Sequence, residues 1–290
     1  MDKRILIFTD LDGTLLDHYT YQTEKAAAMI ETLKSNEVAI IPNSSKTSSE
    51  ILLIRQQLAI NTPFIIENGA AVYIPINYFQ QQPENTHVDN GYWVKPFCES
   101  KDHWINLLSE KAGEFKANFK GFSEMDVSEV AQLTGLSEEN ASMAKQRQYG
   151  EPLNWTGDNL VQDTFIEYMA SLGANVLQGG RFLHVSGHTD KGDAQAWLAS
   201  QYEQHTVSKV FRTASNEISF LNSTVMTIAL GDGKNDVAML EKADVAVQIR
   251  SPTHDFPVLK RTHHVYQSKE VGPAGWAECL QKILSSTLIY

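Results

Sequence analysis

The sequence predicts an α/β protein: a doubly wound parallel sheet interrupted by an inserted α/β domain. Three observations predict it. Short apolar runs alternate with helix-spaced apolar residues up to about position 70, a stretch of different patterning follows, and the strand–helix alternation resumes near position 188.

Ile5 to Phe8 is an apolar run ending at Thr9-Asp10, as expected of a buried parallel strand. Ala26, Met29, Ile30 and Leu33 recur at i, i+3, i+4 and i+7, one face of a helix. Val38 to Ile41 is a second strand, stopped by Pro42. Thr47 and Glu50 have the spacing of a capping box, opening a helix that would bury Ile51, Ile54 and Leu58. Phe64 to Ile66 is a third strand, ended by Asn68-Gly69. This β-α-β-α-β order implies a parallel sheet with right-handed crossovers.

Gln80 to Pro83 breaks the pattern. Beyond it, Trp104 to Phe115 reads as a helix, and Asp126 with Glu129 would cap another that carries Val130 and Leu133. After Gly179-Gly180, Arg181 to Val185 alternates like a strand. The β-α pattern then returns: a helix over Ala194 to Tyr202, a strand over Val225 to Leu230 ending at Gly231-Asp232-Gly233, a helix from Val237 and a strand over Val245 to Ile249. The expected division is therefore a Rossmann-like core at 1–82 plus 188–290, with the insert at 83–187.

A content of 42% hydrophobic and 20% charged residues excludes disordered and collagen-like classes. A formal charge of −11 repels a phosphodiester backbone, so no nucleic-acid partner is expected. A phosphorylated small molecule remains compatible, because a metal and a few cations reverse the potential inside one cleft. Cys98 and Cys279 form no CxxC pair, which excludes a zinc cluster or disulfide framework. No stretch approaches the roughly 20 apolar residues of a membrane span. Ile5 to Phe8 is too short for a signal-peptide core. A soluble cytoplasmic protein with no membrane partner is expected; nothing in the sequence specifies an oligomeric state.

Asp10, Asp12, Ser44 and Asp232 all fall just past strand ends. Open α/β sheets bind ligands outside the carboxyl ends of their strands, so these residues are expected to converge. Carboxylates gathered in one crevice need a cation among them. Oxygen-only ligation beside a phosphate points to Mg²⁺. Gly13 and Thr14 would offer backbone N–H groups to phosphoryl oxygens. Neither acidic cluster fits a calcium-binding EF-hand: Thr14 and Lys234 stand where acidic or amide groups are required, and Leu15 where the loop needs Gly. Taken singly, Ser44 reads as a helix cap, and Lys191 reads equally as a surface lysine or a site residue. The five tryptophans read as packing residues, and the histidines show no metal spacing.

Together the motifs say more. Asp10-Leu11-Asp12-Gly13-Thr14-Leu15-Leu16 resembles the first motif of the haloacid dehalogenase (HAD) superfamily, and Ser44 after its strand resembles the second. Lys191, in Thr189-Asp190-Lys191-Gly192, resembles the third, and Gly231 to Asp236 the fourth. The resemblance implies that Asp10 is a nucleophile forming an aspartyl-phosphate. Asp12 would act as general acid and then general base. Ser44 would hold a phosphoryl oxygen, and Lys191 would neutralise charge. The implied Mg²⁺ ligands are Asp10, the Asp12 main-chain carbonyl and Asp232, with Asn235 and Asp236 orienting the metal shell or Lys191.

A closer similarity, to the mannosyl-3-phosphoglycerate phosphatases, rests on Asn43 to Thr47, Glu67 to Ala70, Ala144 to Pro152, Gly179 to His184 and Gly272 to Trp276. It implies a Cof-like mixed α/β cap and the substrate 2-O-mannosyl-3-phosphoglycerate. Gln148 stands where that family has an acidic residue. A phosphoglycerate also carries a carboxylate, for which Lys46, Arg147 and Arg181 are the candidate cations, beside Ser45. His184 or Glu151 would meet sugar hydroxyls. Two alternatives stay open: another sugar-phosphate phosphatase or a phosphomutase on the same scaffold, and a phosphoglycoside-binding regulator. Asp10 beside Asp12 favours an enzyme, since a binder needs neither a nucleophile nor an acid.

Overall fold

The structure is a computed structural model that describes residues 4–179, 181–208 and 224–287. The chain runs β1 (Arg4–Thr9), α1 (Ala27–Ser35), β2 (Ala39–Pro42), α2 (Ser48–Gln57), β3 (Phe64–Ile66), β4 (Ala71–Pro75), β5 (His87–Asp89) and β6 (Tyr92–Pro96). It continues with α3 (Lys101–Lys111), β7 (Phe119–Gly121), α4 (Val127–Thr134), α5 (Glu138–Lys145), β8 (Gly150–Trp155), α6 (Asn159–Ser171), β9 (Asn175–Gly179) and β10 (Phe182–Ser186). The last part holds α7 (Lys191–Gln204), β11 (Val225–Gly231), α8 (Val237–Lys242), β12 (Val245–Arg250), β13 (Val265–Val271) and α9 (Gly272–Thr287).

Two compact units result. One comprises 1–44, 59–95 and 190–290, the other 45–58 and 96–189. The sequence placed its divisions at 82/83 and 187/188.

The first unit is built on a parallel sheet in the order β13-β12-β11-β1-β2. Leu6, Ile7, Phe8, Ile41, Ile228 and Leu230 have no exposed surface. A sheet covered on both faces needs such unbroken apolar runs, and each fully buried side chain contributes about 2 kcal/mol. The strand register also sets which residues meet at the sheet's end: Thr9 lies opposite both Leu230 and Pro42. Asp10, Gly231 and Asn43 are therefore brought to one level at the sheet's carboxyl edge.

The third strand departs from expectation. β3 makes a single parallel bridge to the main sheet, Asn43 with Ile65. It then reverses through Glu67, Asn68 and Gly69, all at positive φ, into antiparallel β4. The result is a second sheet in the order β3-β4-β6-β5. Asn90-Gly91, both at positive φ, joins β5 to β6 as tight hairpin turns require. With only three residues, β3 is too short to extend the parallel sheet before its turn.

The second unit holds an antiparallel sheet in the order β7-β8-β10-β9. Trp104 and Leu108 of α3 and Phe165 and Met169 of α6 pack with Leu153, Leu183 and Val185. The alternation expected along β10 is present, with Leu183 and Val185 buried between half-buried neighbours. The helix expected over Trp104 to Phe115 ends at Lys111 and tightens into a 3₁₀ turn over Gly113–Asn118. Helix α2 belongs to this unit. Its capping box between Thr47 and Glu50 forms as expected. Thr47 Oγ1 also donates to the Met143 carbonyl at 3.0 Å, and Ser49 Oγ to Gln146 Oε1 at 2.6 Å. Ile51 is buried, but Arg55 rather than Ile54 or Leu58 takes the next buried position. Among the described residues, no helix is long and apolar enough to cross a membrane.

Candidate active site

The site grows from the end of β1. Trp276, fully buried in α9, donates its indole N–H to Thr9 Oγ1 at 3.0 Å. That hydroxyl donates to the Asp10 carbonyl at 2.7 Å. The backbone leaving the strand is thus pinned where Asp10 begins.

Lys191 is the first residue of α7 and has no exposed surface. Its Nζ donates to Asp10 Oδ1 at 2.5 Å and to Asp236 Oδ1 at 2.6 Å. The other Asp236 oxygen accepts the N–H groups of Asp232 at 3.0 Å and Gly233 at 2.9 Å. Asp236 therefore orients Lys191 and the loop before it. The Lys191 carbonyl accepts from Asn43 Nδ2 at 3.0 Å, tying α7 to the end of β2.

Asp232 Oδ1 accepts from the Thr14 hydroxyl at 3.1 Å. His254 Nε2 stands 3.4 Å from Asp232 Oδ2. Gly13, at φ +77°, passes so close that a Cβ there would sit 2.6 Å from Asp232 Oδ2. The two N–H groups expected to meet phosphoryl oxygens are engaged inside this turn: Gly13 donates to Leu16 and Thr14 to Leu11. Gly13's contribution here is clearance, and Thr14's is its hydroxyl. Ser44 is fully buried; its N–H donates to Ile65 and its carbonyl accepts from Asn68. Asp12 is half-buried, and its charge helps raise Asp10.

Oxygens of Asp10, Asp232 and Asp236 lie within 4.8 Å of one another. Burial pushes the Asp10 carboxyl well above its usual range, the Asp236 charge adds to this, and Lys191 opposes it. Asp232 is raised by burial and then by Asp236. Burial alone would lower Lys191, but the Asp10 and Asp236 charges outweigh it and hold the ammonium above its ordinary value. One ammonium against three buried carboxylates leaves negative charge uncompensated. An all-oxygen, hard donor set of this kind fits Mg²⁺. Asp236 accepts from Lys191 and from two backbone N–H groups, which leaves it less capacity for an ion than Asp10, which accepts from Lys191, or Asp232, which accepts from Thr14.

The remaining sequence candidates lie in the second unit. Arg147 Nη2 donates to the Ser45 carbonyl at 3.3 Å. Lys46 Nζ is 3.7 Å from Glu50. His184 is lowered to about 4, by burial and then by the Arg147 charge. Glu151 is buried and accepts from both the N–H and the hydroxyl of Ser123, while burial raises its carboxyl. Gln148 accepts from Ser48 Oγ at 3.2 Å. Arg181 is exposed and donates to the Leu133 carbonyl, in the last turn of α4, at 3.0 Å. Sequence reasoning missed His254, which lies in a loop without periodicity or motif, and gave Asn68 only a turn. The side-chain role of Thr14 was hidden inside a motif read for its backbone.

Buried carboxylates gathered around one lysine at the strand ends of an α/β sheet suit chemistry on an anionic group beside a cation, and comparison with known proteins supplies the class. Residues 7–128 match the haloacid dehalogenase-like hydrolase family. The chain is 31% identical over 279 residues to a glucosyl-3-phosphoglycerate/mannosyl-3-phosphoglycerate phosphatase of Methanococcoides burtonii, covering 96% of this chain and 97% of that one. It is 32% identical over 288 residues to the like-named protein of Persephonella marina, covering 97% of each. Among solved structures, a haloacid dehalogenase-like hydrolase from Bacteroides thetaiotaomicron shares the fold with a TM-score of 0.64 at 16% identity, covering 97% of this chain and all of that one (100%). The chain belongs to the haloacid dehalogenase-like hydrolases. It is a phosphoric monoester hydrolase.

Proposed function

We propose that the protein releases phosphate from a hexosyl-3-phosphoglycerate, converting 2-O-mannosyl-3-phosphoglycerate to mannosylglycerate, through a transient aspartyl-phosphate on Asp10. The observation that carries this reading is the buried Asp10–Lys191–Asp236 ion-pair chain with Asp232 beside it. An Asp10 oxygen attacks phosphorus in line with the ester oxygen, and the P–O ester bond breaks. Asp12 gives its proton to the departing alkoxide. It then takes a proton from the water that attacks the acyl phosphate, so inorganic phosphate leaves and Asp10 is restored. Lys191 and Ser44 hold charge and position on the phosphoryl oxygens. Asp10, the Asp12 carbonyl and Asp232 would hold Mg²⁺, which when bound would supply the positive charge that lets a carboxylate approach an anionic phosphoryl group.

The names of the two relatives support the hexosyl-phosphoglycerate class. They also make the glucosyl compound the nearest rival substrate. Recognition of the glycerate carboxylate and the sugar is assigned to Ser45, Lys46, Arg147 and His184. The test is a phosphate-release assay with Mg²⁺ over mannosyl- and glucosyl-3-phosphoglycerate, sucrose phosphate and simple sugar phosphates. Release from the phosphoglycerates above all others, abolished by EDTA, is expected. Phosphoryl migration without free phosphate would make the protein a mutase. Tight binding of the phosphoglycerates with no release would make it a regulator.

A further inference from the structure

The turn that closes β3 has three consecutive residues in the left-handed region: Glu67 at φ 47°, Asn68 at 58° and Gly69 at 92°. Two are not glycine. Such a run persists only where its surroundings over-determine it, and asparagine is among the few residues that tolerate the position. Here the surroundings are three separate pieces of the site. The Asn68 N–H donates to the Ser44 carbonyl at 2.9 Å. Gly69 lies against the start of α7, where a Cβ would sit 2.1 Å from the Asp190 carbonyl oxygen and 2.9 Å from the Lys191 nitrogen. Asn68 Oδ1 accepts from Asn235 Nδ2 at 3.1 Å. Asn235 lies between Gly233 and Asp236, in the loop that presents Asp232. One turn thus touches the phosphoryl-binding serine, the base of the lysine and the acidic loop, which are far apart in sequence.

We propose that Asn68 is a positioning residue for phosphoryl transfer, holding the Asp232–Asp236 loop through Asn235 and Ser44 through its own backbone N–H. The proposal rests on the phosphoryl-transfer reading above. Asn235 is an exposed loop amide, and the Asn68 carbonyl oxygen fixes its direction. Without that tether the loop would keep its fold, because Asp236 still accepts two backbone N–H groups. It would, however, present Asp232 over a wider range of positions. The binding of substrate by other groups would be little changed.

Four variants test this with the full chain and the best substrate of the release panel. Asn68→Gly keeps the left-handed backbone and the N–H to Ser44 but removes the side-chain acceptor. Asn68→Asp keeps an acceptor of the same shape. Asn235→Ala removes the other partner, and the double variant Asn68→Gly/Asn235→Ala closes the cycle. Asn68→Gly and Asn235→Ala should each lower kcat by about tenfold, with KM within about twofold of the parent. The double variant should be no worse than the poorer single, because both delete one contact. Asn68→Asp should recover most of the turnover that Asn68→Gly loses. A kcat for Asn68→Gly within about twofold of the parent overturns the proposal, and so do single losses that multiply in the double variant. Asp10→Asn, assayed alongside, separates the two levels. If it is inactive while Asn68→Gly is unimpaired, only the positioning role fails. If it is active, the phosphoryl-transfer reading fails and takes this proposal with it.

Discussion

At the ends of β1 and β11 the charged side chains hold one another. Lys191 joins Asp10 to Asp236, Asp236 holds the backbone of Asp232, and Thr14 holds the carboxylate of Asp232. In the second unit, Glu151 of β8 accepts from the Ser123 hydroxyl, and Arg147, just before that strand, donates to the Ser45 carbonyl. The difference is one of mutual dependence. A buried charge network permits few substitutions, because removing one member strands the others in low dielectric. Polar groups held locally can change one at a time.

The largest effect tests the network itself. Lys191→Met should lower phosphate release by about 10²–10³-fold and destabilise the chain by about 3 kcal/mol in urea titrations, since Asp10 and Asp236 lose their shared cation. A loss below tenfold would mean the network is less interdependent than its geometry implies. Next comes Gly13→Ala, which forces a Cβ onto Asp232 at a left-handed position. Turnover should fall about tenfold and stability by about 1–2 kcal/mol, read by kinetics and thermal melting.

The second unit offers smaller effects. His184 has a folded-state value lowered to about 4 from an unfolded 6.5. Between those values the unfolded chain binds the extra proton, so the stability due to neutral His184 is fully present above about pH 6.5. It is lost as pH falls toward 4, on the order of 3 kcal/mol in all. His184→Gln should flatten that part of the stability profile in urea titrations from pH 7.5 to 4.5. Arg181→Ala is the smallest: stability within about 0.5 kcal/mol, and KM within about twofold. A tenfold rise in KM would give Arg181 a ligand in addition to the α4 carbonyl.

The same contrast governs how much was legible in the sequence. Asp10 and Asp232 could be placed because each follows an apolar strand run, a strong pattern, whereas Lys191 and Asp236 came only with the motif resemblance. The main sheet was legible for the same reason through β12, from runs such as Ile5 to Phe8. The diversion of β3 into its own sheet was not, because Phe64 to Ile66 reads alike in parallel or antiparallel pairing. Strand β13 alternates buried and exposed residues only weakly. The attachment of α2 to the second unit depends on hydroxyl and amide contacts at Thr47, Ser48 and Ser49, which carry no periodicity. His254 had no pattern at all: its place beside Asp232 comes from the path of a loop.

The most direct test of the account is to trap the phosphorylated protein. Rapid quenching during turnover and then borohydride reduction convert an acyl-phosphate aspartate to homoserine, and peptide mass spectrometry locates it. Homoserine at position 10, absent from Asp10→Asn and from enzyme without substrate, is the predicted result. Continued phosphate release with position 10 unmodified and another carboxylate reduced in its place would contradict it.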